Sequence, residues 1–278
     1  RLEGGESASA VVIDCKTGDL LAVGSAPTFD PNLFVRGISY ADYNALTDNK
    51  FRPLRNKAVQ GTYPPGSTFK MITALAALEA GETDVSETVR CNGHLEVADV
   101  RFHCWKRGGH GNVDLRESLV ESCDVYYYDI AQRVGIDKIA EMARRFGLGT
   151  DFDLPLSAVA SGLAPDKEWK KRVREAEWRI GDTVNASIGQ GYVLASPLQL
   201  AVMAARIATG RSVTPRLVTH QGDTPLPDGA GEPLNINENH LRAIRKAMFD
   251  VSNDRKGTAY GSRIIDDQMR LAGKTGTT

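Results

Sequence analysis

No stretch of about 18 apolar residues occurs in this chain, so nothing in it reads as a membrane-spanning helix, and no signal-peptide pattern opens it. An excess of either charge is also missing. The 34 Lys and Arg residues against 35 Asp and Glu leave a formal net charge of -1, which removes the electrostatic case for nucleic acid or an anionic membrane surface. Cysteine is scarce: four in 278 residues exclude a disulfide scaffold. Internal repeats and low-complexity tracts are absent, so a solenoid is excluded. What remains is 41% hydrophobic and 25% charged residues, the make-up of a globular protein long enough for one large or two modest domains. The chain opens at RLEGGES and stops at KTGTT, directly after an apparent strand, and so reads as a fragment.

Apolar runs at Ala10–Ile13 and Leu20–Val23 flank Lys16-Thr17-Gly18-Asp19, which predicts a hairpin. Residues 30–57 read as a polar, irregular stretch. Pro64, Pro65 and Gly66 bar a helix before Ser67. Phe69, Ile72, Leu75, Ala76 and Leu78 then mark a central helix that Gly81 ends. Asp114 and Glu117 form a capping-box pair ahead of a short helix. VYYYDIAQRVG and IDKIAEMARRFG read as helices stopped by Gly135 and Gly147. Residues 150–190 read as mixed and loop-like. SPLQLAVMAARIATG is a helix with Pro197 in its first turn and Gly210 at its end. Residues 213–235 read as strand and turns, NENHLRAIRKAMFDVSN as an amphipathic helix, and MRLAGKTGTT as a short strand. The sum predicts an α+β fold with helices packed on an antiparallel sheet.

Three short motifs carry chemistry. Ser67-Thr68-Phe69-Lys70 is an S-x-x-K at a helix start, where a spacing of three puts hydroxyl and amine on one face. A serine is a weak nucleophile until a nearby base takes its proton, and burial or a second cation lowers a lysine's pKa toward that task. Alone, the pattern equally describes a helix cap followed by a surface lysine. Ser122-Cys123-Asp124 and Lys274-Thr275-Gly276 follow in order, and the three together are the signature of penicillin-binding proteins and class A β-lactamases.

On those motifs the chain resembles the transpeptidase domain of class B penicillin-binding proteins, elongation type, the penicillin-binding protein 2 group. AVVIDCKTGDLLAVGSAPTFDPN, RNKAVQGTYPPGSTFK, EWKK, GDTVNASIGQGYVLASPLQLA and KGTAYG resemble further parts of that family in the expected order, over nearly the whole chain. The resemblance implies a penicillin-binding transpeptidase/serine β-lactamase-like fold, an antiparallel sheet flanked by helices with an all-helical subdomain. It implies that residues 1–278 are a transpeptidase domain, with an anchor, a pedestal, the last strands and a terminal helix lying outside. Ser67 would attack the penultimate D-alanyl carbonyl of a peptidoglycan stem peptide, with Lys70 as base. Ser122 and Lys274 would relay the proton, and Asp124 would orient Lys70. Thr275 and Lys274 would hold the substrate carboxylate, Gly276 would let the strand approach the acyl chain, and the N–H groups of Ser67 and Thr277 would form the oxyanion hole. Asp124 stands where the wider superfamily has asparagine, an anion that favours protonated lysines beside it. Further implications are β-lactam acylation of Ser67, a place on the periplasmic face of the inner membrane, and contact of the full protein with a SEDS-family glycosyltransferase and rod-complex proteins. A serine β-lactamase or a β-lactam-sensing domain would share the motifs. Against the former, no E-x-x-L-N run occurs; Glu232-Pro233-Leu234-Asn235 is one residue short.

Cys91, Cys104, His110 and Cys123 crowd into one short window. Three thiolates and an imidazole are a set structural zinc prefers, yet no C-x-x-C pair occurs, and the chemistry alone leaves zinc, a Cys91–Cys104 disulfide and scattered core cysteines all open. The resemblance favours zinc, because elongation-type relatives can hold one beside the second motif, with Cys91 and Cys104 here replacing oxygen ligands. His94, His103 and Asp99 are rival ligands. Cys15 is expected to be buried.

Overall fold

The computed structural model describes residues 6–266 and 268–277. The predicted hairpin is present as β1 (Ala8–Ile13) and β2 (Leu20–Ala26), antiparallel, with Gly18 at φ 77° in the turn. Residues 30–57, expected to be irregular, hold α1 (Asn32–Val35), α2 (Tyr40–Thr47) and the first residue of α3 (Lys57–Gln60). No residue of α2 is buried, so it carries no apolar stripe; its start is set by Ser39, whose hydroxyl accepts from the Asp42 N–H at 3.1 Å.

The central helix is α4 (Lys70–Glu79), preceded by a single 3₁₀ turn, Gly66–Phe69. Every residue from Lys70 to Leu78 is buried. Each fully buried large apolar side chain here, Ile72 or Leu75 for example, contributes about 2 kcal/mol. Beyond it come β3 (Val89–Cys91), the hairpin β4 (His94–Val97) and β5 (Val100–His103), and β6 (Gly111–Val113), which pairs with β3. The capping box Asp114/Glu117 opens α5 (Leu115–Val120), and α6 (Asp124–Val134) and α7 (Ile136–Arg145) follow, α6 ended by Gly135. Tyr126, Tyr127 and Tyr128, too closely spaced to share one face, are all buried because the first two turns of α6 are packed about, chiefly by α4 and α9, while Gln132 and Arg133 farther along are exposed.

Residues 150–190, expected to be loop-like, contain α8 (Lys167–Arg174) and α9 (Ile180–Ser187). Lys170 is the one buried residue of α8, so apolar periodicity could not reveal it; the Asp166 cap, accepting from the Trp169 N–H at 2.7 Å, fixes its start. α10 (Pro197–Thr209) has the expected Pro at its first turn and Gly210 at its end. Two short strands, β7 (His220–Gln221) and β8 (Thr224–Pro225), and the amphipathic α11 (Glu238–Asn253) complete the elements. The described residues of the predicted last strand form no strand. Gly273 donates to the Met248 carbonyl, and no backbone ladder runs alongside residues 268–277, without which a strand does not exist. The architecture is thus α+β, small two-stranded antiparallel sheets flanked by helices. One apolar core lies around α4, α6, α7, α9 and α11, and a second under the β1–β2 hairpin. Cys15, expected inside, is half-buried.

Candidate active site

Ser67 rides on the 3₁₀ turn, one turn ahead of the helix start expected for it. Two close backbone approaches hold that turn. Gly66, at φ 56°, donates its N–H to the Gly189 carbonyl at 3.0 Å, and a Cβ on Gly189 would stand 2.3 Å from the Gly66 oxygen. On the other side a Cβ on Gly66 would stand 2.4 Å from the Thr277 carbonyl, and one on Gly276 would stand 2.9 Å from the Pro65 carbonyl. The lack of a side chain on Gly276 thus lets the Lys274–Thr277 segment lie against the serine turn.

Lys70 is fully buried. Its Nζ donates to Asp124 Oδ1 at 2.6 Å, to the Ser122 carbonyl at 2.9 Å and to Ser122 Oγ at 3.2 Å. Breaking such a pair from one side leaves a buried charge, which is why all three acceptors matter. Ser122 lies at φ 54°, in the left-handed position that follows α5 and that glycine usually fills; holding it there costs about 1–2 kcal/mol. Asp124 is the first residue of α6, and its second oxygen accepts from the Trp105 N–H at 2.9 Å. Lys274 Nζ reaches Ser122 Oγ at 2.9 Å and the Thr275 carbonyl at 3.1 Å. A continuous polar chain therefore runs Asp124, Lys70, Ser122, Lys274. Burial first, and the positive charge of Lys70 second, push Lys274 down to about 7, against the opposing pull of Asp124.

A cleft of about 700 Å³ lies over this chain, lined by Ser67, Ser122, Asp124, Thr275, Gly276 and Thr277 together with His103, Trp105 and Arg107. The three motifs thus meet in one place. Thr258 and Trp105 are among its residues that were not singled out by sequence. Thr258, within KGTAYG, exchanges a 2.7 Å hydroxyl contact with Thr275, and Trp105, beside Cys104, touches the second motif.

Behind the cleft, ligand atoms of Cys91, Cys104, His110 and Cys123 lie within 4.8 Å of one another, a cluster able to hold a metal ion. All four cysteines are free thiols, so the Cys91–Cys104 disulfide is not formed. His94, His103 and Asp99 do not join the group; the two histidines face each other across the β4–β5 hairpin. His110 Nδ1 is 3.6 Å from the sulfurs of both Cys91 and Cys104. Cys104 accepts from the Asp124 N–H at 3.4 Å. Its thiol is held well below the usual range, first by the hydrogen bond from Cys123, whose own thiol the same bond and burial push up.

The family described as "Penicillin binding protein transpeptidase domain" matches residues 8–278. The chain is 41% identical to a peptidoglycan D,D-transpeptidase MrdA of Acinetobacter baumannii, over 98% of this chain and 41% of the relative. To the MrdA of Escherichia coli K12 it is 36% identical, over 98% of this chain and 44% of the relative. Among solved structures, Pseudomonas aeruginosa PBP2 in complex with WCK 5153 superposes with a TM-score of 0.92 at 37% identity, covering 98% of this chain and 63% of that one. A Helicobacter pylori PBP2 in complex with MreC gives a TM-score of 0.87 at 36% identity, covering 96% and 49%. The chain thus spans less than half the length of these curated relatives.

Proposed function

We propose, for a chain that belongs to the penicillin-binding protein transpeptidase family, that it is the catalytic domain of an elongation-type peptidoglycan D,D-transpeptidase, a target of β-lactams. The observation that carries this is the polar chain Asp124–Lys70–Ser122–Lys274 lying under the same cleft as Ser67.

In this reading Ser67 Oγ attacks the penultimate D-alanyl carbonyl of a donor stem peptide. The C–N bond to the terminal D-alanine breaks and an ester to Ser67 forms. Lys70 is the base for that proton, but its Nζ already donates to three acceptors, so it must first hand a proton on. Ser122 is the next hydroxyl in line and Lys274 the next amine, with a lone pair free in a sizeable fraction of molecules near pH 7. The proton leaves on the amine of the expelled D-alanine. An acceptor amine then attacks the ester, and its proton returns along the same path to Ser67. Thr275, steadied by Thr258, holds the substrate carboxylate, and the N–H groups of Ser67 and Thr277 face the oxyanion.

Zinc is the ion we assign to the cluster. Tetrahedral bonds of about 2.3 Å to sulfur and 2.0 Å to nitrogen put sulfur and nitrogen about 3.6 Å apart, and both measured separations are 3.6 Å. Zinc would supply no step of the reaction; it would let three thiolates share one pocket. Cys91, Cys104, His110 and Cys123 would hold it, and with it the turn that carries Ser122 and Asp124. We place the domain on the periplasmic face of the inner membrane, where its substrates are. The Helicobacter pylori relative solved with MreC supports a rod-complex partner for the full protein, with a SEDS-family glycosyltransferase as a further one. Among the described residues no helix is long and apolar enough to cross a membrane.

A fluorescent penicillin tests the proposal. Labelling should be stoichiometric, abolished in Ser67→Ala, and stable for many minutes. Rapid turnover would instead identify a β-lactamase, and labelling that survives Ser67→Ala would overturn the assignment of the nucleophile.

A further inference from the structure

The loop between Cys104 and His110 is tied at both ends by cluster residues, and its second residue, Trp105, reaches the catalytic motif from two directions. Its backbone N–H donates to Asp124 Oδ2 at 2.9 Å. Its indole N–H is shared between the carbonyls of Ser122 at 3.0 Å and Glu121 at 3.1 Å. The Ser122 carbonyl is the same one that takes Lys70 Nζ, so its two lone pairs are filled by the base and by Trp105. Ser122 is a non-glycine residue at φ 54°, a conformation that persists only when its surroundings over-determine it. The indole is one of those surroundings. Trp105 is 59% exposed and lines the cleft, so burial does not account for its placement.

We propose that Trp105 is a positioning residue for the acyl transfer. Its indole N–H pins the left-handed Ser122, and its backbone N–H sets the Asp124 carboxylate, so that Lys70 and Lys274 converge on one hydroxyl. This rests on the transpeptidase reading above. The mechanism is geometric: without the indole N–H, the Ser122 carbonyl keeps only Lys70. The peptide is then free to rotate toward ordinary backbone angles, carrying Oγ away from Lys274.

Trp105→Phe keeps an aromatic ring in the cleft and removes the donor. The expected result is a fall of about tenfold in the first-order acylation rate by penicillin. The dissociation constant of the preceding encounter complex, the melting temperature and the bound metal should stay at wild-type values. Trp105→Ala, which also removes the ring, should weaken the encounter as well. Acylation of Trp105→Phe at the wild-type rate overturns the proposal, as does a loss of rate that merely tracks loss of metal or of melting temperature. A second readout needs no reaction. The indole N–H of Trp105 should exchange with D₂O far more slowly than that of a free indole despite its exposed ring. Free-indole exchange overturns the proposal even in protein that penicillin does not label, which is how its failure and that of the transpeptidase reading are told apart.

Discussion

At the scale of the residue, Lys274 is where environment most alters chemistry. Its folded value of about 7 lies below its ordinary one of 10.5, so between those values the unfolded chain binds more protons than the folded chain. Stability therefore rises with pH through that window, and below pH 7 the cost of a half-buried ammonium beside Lys70 is present in full. Lys274→Met should accordingly raise the melting temperature at pH 6.5, by about 3 °C, with the gain shrinking toward pH 10. The same group sets the reaction's pH dependence. Ser122 has a proton acceptor only in molecules whose Lys274 is neutral, so penicillin acylation should climb with pH, bend near 7 and then level. A profile flat from pH 5.5 to 8.5 would remove Lys274 from the proton path. The identities of these residues were legible in the sequence because three motifs fell in a fixed order. Their protonation was not, because it depends on burial and on Lys70 reaching Ser122, which only the folded chain supplies.

At the scale of the element, local chemistry was readable wherever a cap coincided with an apolar stripe. Ser196 and Pro197 at the start of α10 with Gly210 at its end is one case, and Asp114 and Glu117 opening α5 is another. It failed at α2 and α8, which have caps but bury nothing or a lone lysine, so no 3.6-residue period marks them. It failed again at the final segment, since a strand is defined by a distant partner that local sequence does not name. Trp105 and Thr258 escaped notice for a related reason: each meets its partner across a long stretch of chain. Gly189 is a third such case, and it makes the sharpest prediction at this scale. A methyl group there would stand 2.3 Å from the Gly66 carbonyl and 2.8 Å from both the Gly66 nitrogen and the Phe69 Cβ, at a φ of 72° that alanine disfavours. Two of those neighbours are backbone atoms and cannot swing aside. Gly189→Ala should therefore shift the serine turn, cutting acylation by more than tenfold and lowering the melting temperature. Wild-type labelling in this variant would mean that the turn is not clamped as described.

At the scale of the whole molecule, the cysteine–histidine cluster gathers the end of β3, the loop between β5 and β6, and the start of α6 at one point. Cys91 ends β3, Cys104 follows β5, His110 precedes β6, and Cys123 caps α6, the helix buried against α4 and α9. Three thiols and an imidazole in a buried pocket are a poor core. Without a cation the Cys104 thiol is drawn toward the thiolate while the Cys123 thiol beside it is pushed the other way. A divalent ion reverses that arithmetic, since thiolate binding to it is worth far more than a thiol contact and is itself folding free energy. Because Asp124 donates its N–H to Cys104 and accepts from Trp105, loosening the cluster also loosens the second motif. Purified protein should hence contain one zinc per chain. A strong chelator at pH 7 should lower the melting temperature by about 10 °C, expose Cys91, Cys104 and Cys123 to a thiol reagent, and reduce penicillin acylation in proportion to the metal removed. Ser67→Ala should respond to the chelator with the same loss of melting temperature, which would separate the metal's hold on the fold from the chemistry in the cleft. Metal-free protein that melts and reacts as before would show that four ligand-type side chains can gather here for packing alone.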